Sequence, residues 1–259
     1  MKKVEMFVVT HKPLYIKIPK CYTPIKVGNN SDEKLNRYLK DNIGDNISSK
    51  NSSYCELTAI YWLYKNYELA EYVGICHYRR FFVKGLFSRL LNENDILKLM
   101  SKYDVILPYK NKAKPNVWTY FVNSKSCGSE NDLYKLKDII KEYYPDYLDD
   151  FNKVMFGKSL SYCNMCIMRK ENFIQYCEWL FSIMEKYEAI IDYSSYNREQ
   201  KRIFGYMSEF LLNVWIEKNN LSIGLNSIIL FDENKLKVFM KKIKAPYKKI
   251  KGALNNGEI

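Results

Sequence analysis

Histidine is nearly missing from this sequence: His11 and His77 are the two copies in 259 residues. No Ser-His-Asp order, no G-x-x-x-x-G-K-S/T and no G-x-G-x-x-G occurs. Serine-hydrolase, P-loop and Rossmann-dehydrogenase readings therefore lack their nucleophile relay or phosphate cradle. No Asp-x-Asp follows an apolar strand either, so the usual tie between a divalent cation and a nucleotide diphosphate is absent. The seven cysteines (21, 55, 76, 127, 163, 166, 177) are odd in number and form no framework, as expected in a reducing compartment. Cys163 and Cys166 have the spacing of a zinc or redox pair, but no second pair completes a zinc site. Their flanks (Leu160, Tyr162, Met165, Ile167) read as buried strand. No run approaches transmembrane length, and Met1-Lys-Lys-Val-Glu5 lacks the apolar core of a signal peptide. The expectation is a cytoplasmic protein whose core needs neither disulfide nor metal.

Tyrosine is plentiful instead, at 23 residues. Such rings suit a cleft that stacks and hydrogen-bonds polar rings. An AT-rich coding sequence, which raises Tyr, Lys, Asn and Ile together, gives the same excess. Positive charge is concentrated at one end: residues 233–259 carry eight Lys against Glu233 and Glu258, half of the net +12. The body is only mildly basic, and no nucleic-acid partner is expected.

Val4–Thr10, Pro24–Gly28, Tyr72–His77, Asp104–Pro108, 160–168 and Ser227–Phe231 read as strands. Helical spacing marks Ser53–Asn66, Asn94–Lys102, 131–143, 146–156, Glu171–Glu188 and Gln200–Lys218. Ser53 and Glu56 have capping-box spacing. Apolar strands between helices predict an α/β sheet covered on both faces, in one domain over residues 1–232 with a basic appendage at 233–259. Residues 109–130, with Trp118, Tyr120 and Phe121, read as an irregular candidate lid.

Ligands of open α/β sheets bind at the carboxyl ends of strands. Thr10-His11-Lys12, Gly28-Asn29-Asn30 and His77-Tyr78-Arg79-Arg80 fall there. Two guanidiniums at a sheet's mouth suit phosphate or carboxylate oxygens; the structural alternative is an ion pair with Glu56 or Asp45. Asp45, Asn46, Ser48, Lys50 and Asn51 lead into the capped helix. There a helix N-terminus and a lysine favour an anion, and Asn and Asp side chains suit a ribose or base edge. Glu209 lies among Tyr206, Met207, Phe210 and Leu211. Such surroundings raise a carboxyl's pKa and make it a candidate general base. Arg202, two turns earlier on the same face, is either its cationic partner or half of a plain structural pair.

The run Asp45–Asn66 followed by Gly74–Phe82, with its His77-Tyr-Arg-Arg80, closely resembles a bacterial domain family. That family, initially a domain of unknown function, occurs in capsular and exopolysaccharide glycosyltransferases, some of them galactofuranosyltransferases. Thr10–Lys12, Pro24–Gly28, Asn164-Met165 and Arg202–Glu209 are similar to it too, so that the resemblance spans about residues 4–232. It implies a GT-A-like, nucleotide-binding mixed sheet flanked by helices, acting as a hexosyltransferase on a sugar nucleotide. Thr10, His11, Lys12 and Gly28 would border the nucleotide, and His77–Arg80 would stand where other GT-A enzymes carry Asp-x-Asp. Asn164, Arg202 and Glu209 would face the acceptor. Phe210 departs from the family pattern, which places a second Arg after Glu209.

The expected chemistry is in-line transfer from a UDP-sugar. Arg79 and Arg80, helped by Lys12 or Lys50, neutralise the diphosphate, and Glu209 deprotonates the acceptor with inversion. No cofactor is expected; the alternative is Mn2+ or Mg2+ at the diphosphate, with His77 as a ligand. In the tail, Leu236, Phe239, Ile243, Tyr247, Ile250 and Leu254 recur at helical steps opposite lysines. This is an interfacial pattern, fit for the anionic inner leaflet beside a lipid-linked saccharide acceptor; a solvated helix docked on the body is the other reading. The rival functions are a non-catalytic scaffold of a polysaccharide assembly complex and, further off, a basic nucleic-acid binder.

Overall fold

The seven residues Val4–Thr10 are buried from end to end, because they form the central strand of a sheet covered on both faces. A computed structural model of the chain describes residues 2–28, 32–85, 89–124 and 127–231. Its strands are β1 (Val4–Thr10), β2 (Tyr22–Lys26), β3 (Leu39–Lys40), β4 (Tyr72–His77), β5 (Arg80–Lys84), β6 (Arg89–Leu90), β7 (Val105–Pro108), β8 (Asn111–Lys112), β9 (Ser159–Leu160), β10 (Cys166–Arg169), β11 (Ile223–Asn226) and β12 (Ile228–Leu230). Its helices are α1 (Asn51–Tyr54), α2 (Leu57–Asn66), α3 (Glu93–Met100), α4 (Val117–Ser124), α5 (Glu130–Tyr143), α6 (Leu148–Met155), α7 (Lys170–Ile190) and α8 (Ile203–Lys218).

The main sheet runs β11-β7-β10-β4-β1-β2-β3, with β5, β6 and β12 joined beyond β4. β1 pairs in parallel with β2 and β4, whereas β10 lies antiparallel between β4 and β7. The expected mixed α/β sheet flanked by helices is what forms. Alternation along β1 serves both faces: Phe7 and Val9 enter the core under α2, α7 and α8, while Val4, Met6 and Val8 pack with Ile96, Phe81 and Phe82. Gly74 on β4 makes room for that second layer, since a Cβ there would stand 2.1 Å from Met6 Sδ.

Five local expectations give way to tertiary structure. The helix expected from Ser53 to Asn66 breaks at Cys55, which adopts φ +53°, and resumes at Leu57. The capping box does not form: Ser53 Oγ donates to the Lys50 carbonyl, and Glu56 turns to Asn164. The strand expected over 160–168 is split into β9 and β10 by a turn with Cys163 at φ +81° and Asn164 at φ +49°. His77–Arg80 is a tight hairpin leading into β5, not an open strand end. Residues 109–130 include β8 and α4, and Val117, Trp118 and Phe121 of α4 are buried, so this part is a packed helix where an irregular lid was expected. Among the described residues no helix is long and apolar enough to cross a membrane. The amphipathic tail of 233–259 lies outside the described residues.

Candidate active site

A cleft of about 910 Å³ opens at the carboxyl ends of β1 and β4. Its first wall is built from the loops that leave these strands. Thr10 Oγ1 donates to the Lys12 carbonyl at 2.5 Å and accepts the Lys12 N–H at 3.0 Å, which folds the chain back after β1. The Thr10 carbonyl receives the Val27 N–H at 2.9 Å, binding the end of β2 to the same corner. Tyr78, at the hairpin tip, anchors its N–H on the Val9 carbonyl at 3.0 Å. Its ring takes the edge of His11 at 4.8 Å, Lys12 Nζ at 5.6 Å and the Arg79 guanidinium at 5.1 Å.

Arg79 is exposed and Arg80 half-buried, and both line the cleft. Arg198, Lys201 and Arg202 approach from the segment before α8. Among the described residues none of these five cations takes part in an ion pair. The structural alternative for Arg79 and Arg80 is not realised: Asp45 accepts from the Tyr61 hydroxyl at 3.0 Å, and Glu56 Oε1 accepts from Asn164 Nδ2 at 2.7 Å. Unpaired guanidiniums beside a helix-flanked sheet edge bind anions strongly.

Three carboxyl groups line the cleft: Glu56 and Glu209, and Glu199 from an exposed position before α8. Burial pushes the Glu209 carboxyl up to about 8, and the nearby Glu56 adds to the rise. The Cys163 N–H, Arg80 and Arg202 pull it back towards the anion. Arg202 acts through space, because its Nε hydrogen goes to Cys55 Sγ at 3.3 Å. Cys55 comes close to α8 because Gly205 has no side chain: a Cβ there would meet Cys55 Sγ at 3.3 Å. His77 Nε2 lies 2.5 Å from the Cys163 carbonyl, so Nε2 donates its proton there and Nδ1 is the ring nitrogen that keeps a lone pair. With guanidiniums beside it, the hairpin suits an oxyanion. Cys163 and Cys166 are free thiols that burial raises to about 11 and about 12.

The chain matches, over residues 5–220, the family described as Domain of unknown function (DUF4422). It belongs to that family. Among solved structures it is similar to the apo form of the WbbM bifunctional glycosyltransferase, with a TM-score of 0.80 and 29% identity. The likeness covers 89% of this chain and 46% of that one, so this chain spans about half the length of the protein it matches. Its mixed sheet is accordingly GT-A-like. No curated protein matches it in sequence.

In this DUF4422 chain the cleft gathers Thr10, His11, Asn51, His77, Arg79, Arg80, Arg202 and Glu209 of the residues expected at a site. Lys12 joins them through Tyr78. Gly28 sits just behind, in a left-handed turn (φ +70°) where a Cβ would approach Asn51 Oδ1 to 2.9 Å. Asn164, expected to face the acceptor, is instead buried behind the wall, its amide given to Glu56, Ser208 and the Gly205 carbonyl. Asp45, Asn46, Ser48 and Lys50 are not brought into the lining. Asp45 and Asn46 brace their own loop, and Ser48 Oγ donates to Asp41. Lys50 pairs with Glu188 at 2.6 Å, a stronger partner than open solvent, so its side chain is not free to help at the hairpin.

Sequence reasoning overlooked Glu56, Cys55, Arg198 and Lys201 as lining residues. The basic run Arg198-x-x-Lys201-Arg202 was a usable signal for two of them. Glu56 was mistaken for a helix cap, and nothing local announces the backbone of Cys55.

Proposed function

We propose that this chain is a glycosyltransferase that moves a sugar from a nucleoside diphosphate sugar to an acceptor hydroxyl. The observation that carries the reading is one cleft holding guanidiniums that form no ion pair among the described residues, together with a carboxyl group poised near neutral pH. A base works best when its pKa lies close to the working pH. In this scheme the Glu209 carboxylate takes the acceptor's hydroxyl proton as the acceptor oxygen bonds to the anomeric carbon. The bond from that carbon to the diphosphate oxygen breaks in line, with inversion. Arg79 and Arg80 meet the charge that develops on the leaving diphosphate, a task for which fixed cations need no reorganisation. The scheme uses no divalent cation.

The finer reading is a UDP-hexose donor, with galactofuranose among the candidates, and a lipid-linked saccharide acceptor in capsular or exopolysaccharide synthesis. It is supported by the resemblance of the Asp45–Asn66 and Gly74–Phe82 runs and by the similarity to a bifunctional glycosyltransferase. Residues 1–232 would be the transferase domain, and the lysine-rich pattern of 233–259 supports peripheral contact with the anionic inner face of the cell membrane.

The test is a thermal-shift panel of nucleotide sugars, followed by transfer assays with and without excess chelator. A UDP-hexose is expected to raise the melting temperature and to be consumed in chelator. If no nucleotide sugar stabilises the chain, the reading fails. Complete loss in chelator, restored by manganese, would sink the metal-free version.

A further inference from the structure

One two-residue turn touches two of the acidic groups of the cleft, Glu56 and Glu209. With Cys163 and Asn164 in left-handed conformations, the Cys163 N–H reaches the Glu209 carboxylate. The Asn164 amide nitrogen meanwhile donates to Glu56 Oε1 at 2.7 Å, Ser208 Oγ at 2.8 Å and the Gly205 carbonyl at 3.2 Å. Asn164 is 2% exposed and Glu56 9%, so little water screens that bond. The Cys163 N–H favours the charged form of Glu209. The break at Cys55 is what takes Glu56 off the helical path and lets it meet this donor.

We propose that Glu56 is a positioning residue for sugar transfer: its carboxylate, fixed by Asn164, stands in the same cleft as Glu209, tied through that amide to Ser208, the neighbour of Glu209 on α8. This rests on reading Glu209 as the base. The groups that act on Glu209 come from every neighbouring element. Arg80 of β5 and Arg202, just before α8, favour its anion, and Glu56 opposes it. Cys55, Cys163, Tyr162 and Tyr206 also feel its charge, but burial raises each of them, so they are neutral near pH 7. Glu199 lines the cleft as well, from an exposed position before α8. With its carboxyl pushed up to about 8, Glu209 holds its proton at neutral pH. Glu209 becomes an acceptor of the substrate's proton as the pH rises.

Glu56→Gln removes the charge while leaving an oxygen for the Asn164 amide. Carboxyl-carbon NMR of the glutamate-labelled, substrate-free protein reads Glu209 directly, as the signal missing from Glu209→Gln. In Glu56→Gln its midpoint is expected to fall by about one pH unit or more. The rising limb of the pH–rate profile should move down with it, and transfer should survive better than in Glu209→Gln. An unmoved midpoint makes Glu56 a structural residue and overturns the proposal. Transfer as low as in Glu209→Gln makes Glu56 a base in its own right and overturns it too. If Glu56→Gln does not fold, Asn164→Ala gives the same reading. Without its donor the Glu56 carboxylate is no longer held beside Glu209, so the Glu209 midpoint should again move, and a fixed midpoint ends the idea. The titration needs no substrate, so failure to find any transfer would defeat the glycosyltransferase reading while this measurement stands.

Discussion

His77 and Cys163, 86 residues apart, are joined by a 2.5 Å contact between the imidazole Nε2 and the backbone carbonyl oxygen. A carbonyl can only accept, so the tautomer is fixed with the proton on Nε2. The contact couples the hairpin that bears Arg79 and Arg80 to the turn that holds Glu209 and Glu56. The arginine-bearing and carboxyl-bearing sides of the cleft are thereby tied together.

Replacing His77 by Ala should therefore disturb transfer more than folding. One hydrogen bond of this kind is worth about 0.5–1.5 kcal/mol to stability, a fall of a few degrees in melting temperature. Binding of free UDP should change little, since both arginines stay in place, whereas kcat should drop about tenfold or more as the two halves lose register. Calorimetric UDP binding and steady-state transfer separate the two effects. Full kcat in His77→Ala would remove the coupling role.

Arg79 and Arg80 make a prediction about the second phosphate. A charge-assisted hydrogen bond contributes about 1.5–3 kcal/mol, roughly ten- to a hundredfold in affinity. UDP should bind the native protein more tightly than UMP, and Arg79→Ala or Arg80→Ala should erase most of that advantage while leaving UMP binding nearly unchanged. Titration calorimetry with the two nucleotides at one salt concentration gives the answer. An undiminished gap between UDP and UMP in both variants would move the diphosphate elsewhere, with Arg198 and Lys201 the next cations to test.

What could be read from the sequence and what could not divide along the range of the forces involved. β1 and β4 were legible because a strand buried on both faces must be apolar throughout, and α2 because its buried residues recur at helical spacing. The Ser53–Glu56 capping box follows a local rule, and it loses to a partner 108 residues away, Asn164. Lys50 is likewise claimed by Glu188, 138 residues away. The left-handed residues Cys55, Cys163 and Asn164 carry no compositional mark, yet they aim both carboxyl groups. The positions of Arg79, Arg80 and Glu209 were recoverable because strand ends and apolar helices are local features. Their mutual geometry was not.

Glu209 also links the site to stability. Its folded-state pKa is raised from 4.5 to about 8, so the folded chain holds this proton more tightly than the unfolded one. The stability from this group is present at low pH and declines as the pH rises from the ordinary carboxyl value through about 8. Over that window the decline approaches about 1.4 kcal/mol per pH unit, an upper figure for a half-buried group with cations nearby. Urea unfolding at pH 6 and pH 9 should show the native protein weakening at the higher pH and Glu209→Gln weakening less. Equal losses in both would show that Glu209 titrates normally, and the base role would then need another cause for its pH dependence.

Cys55 supplies the last prediction. At φ +53° and ψ −126° it holds a conformation that glycine tolerates and side chains resist, a strain of about 1–3 kcal/mol. Cys55→Ala and Cys55→Gly both remove the sulfur that accepts from Arg202, but only Ala keeps the Cβ and with it the strain. The Gly variant should be the more stable of the two by about 1 kcal/mol, measured as urea midpoints with equal slopes. Transfer should follow the opposite order. A relaxed joint between α1 and α2 fixes Glu56 less firmly against Asn164, so the more stable variant should be the slower enzyme. If Cys55→Gly is both more stable and as fast as Cys55→Ala, the strained joint is incidental and Glu56 is held by Asn164 alone.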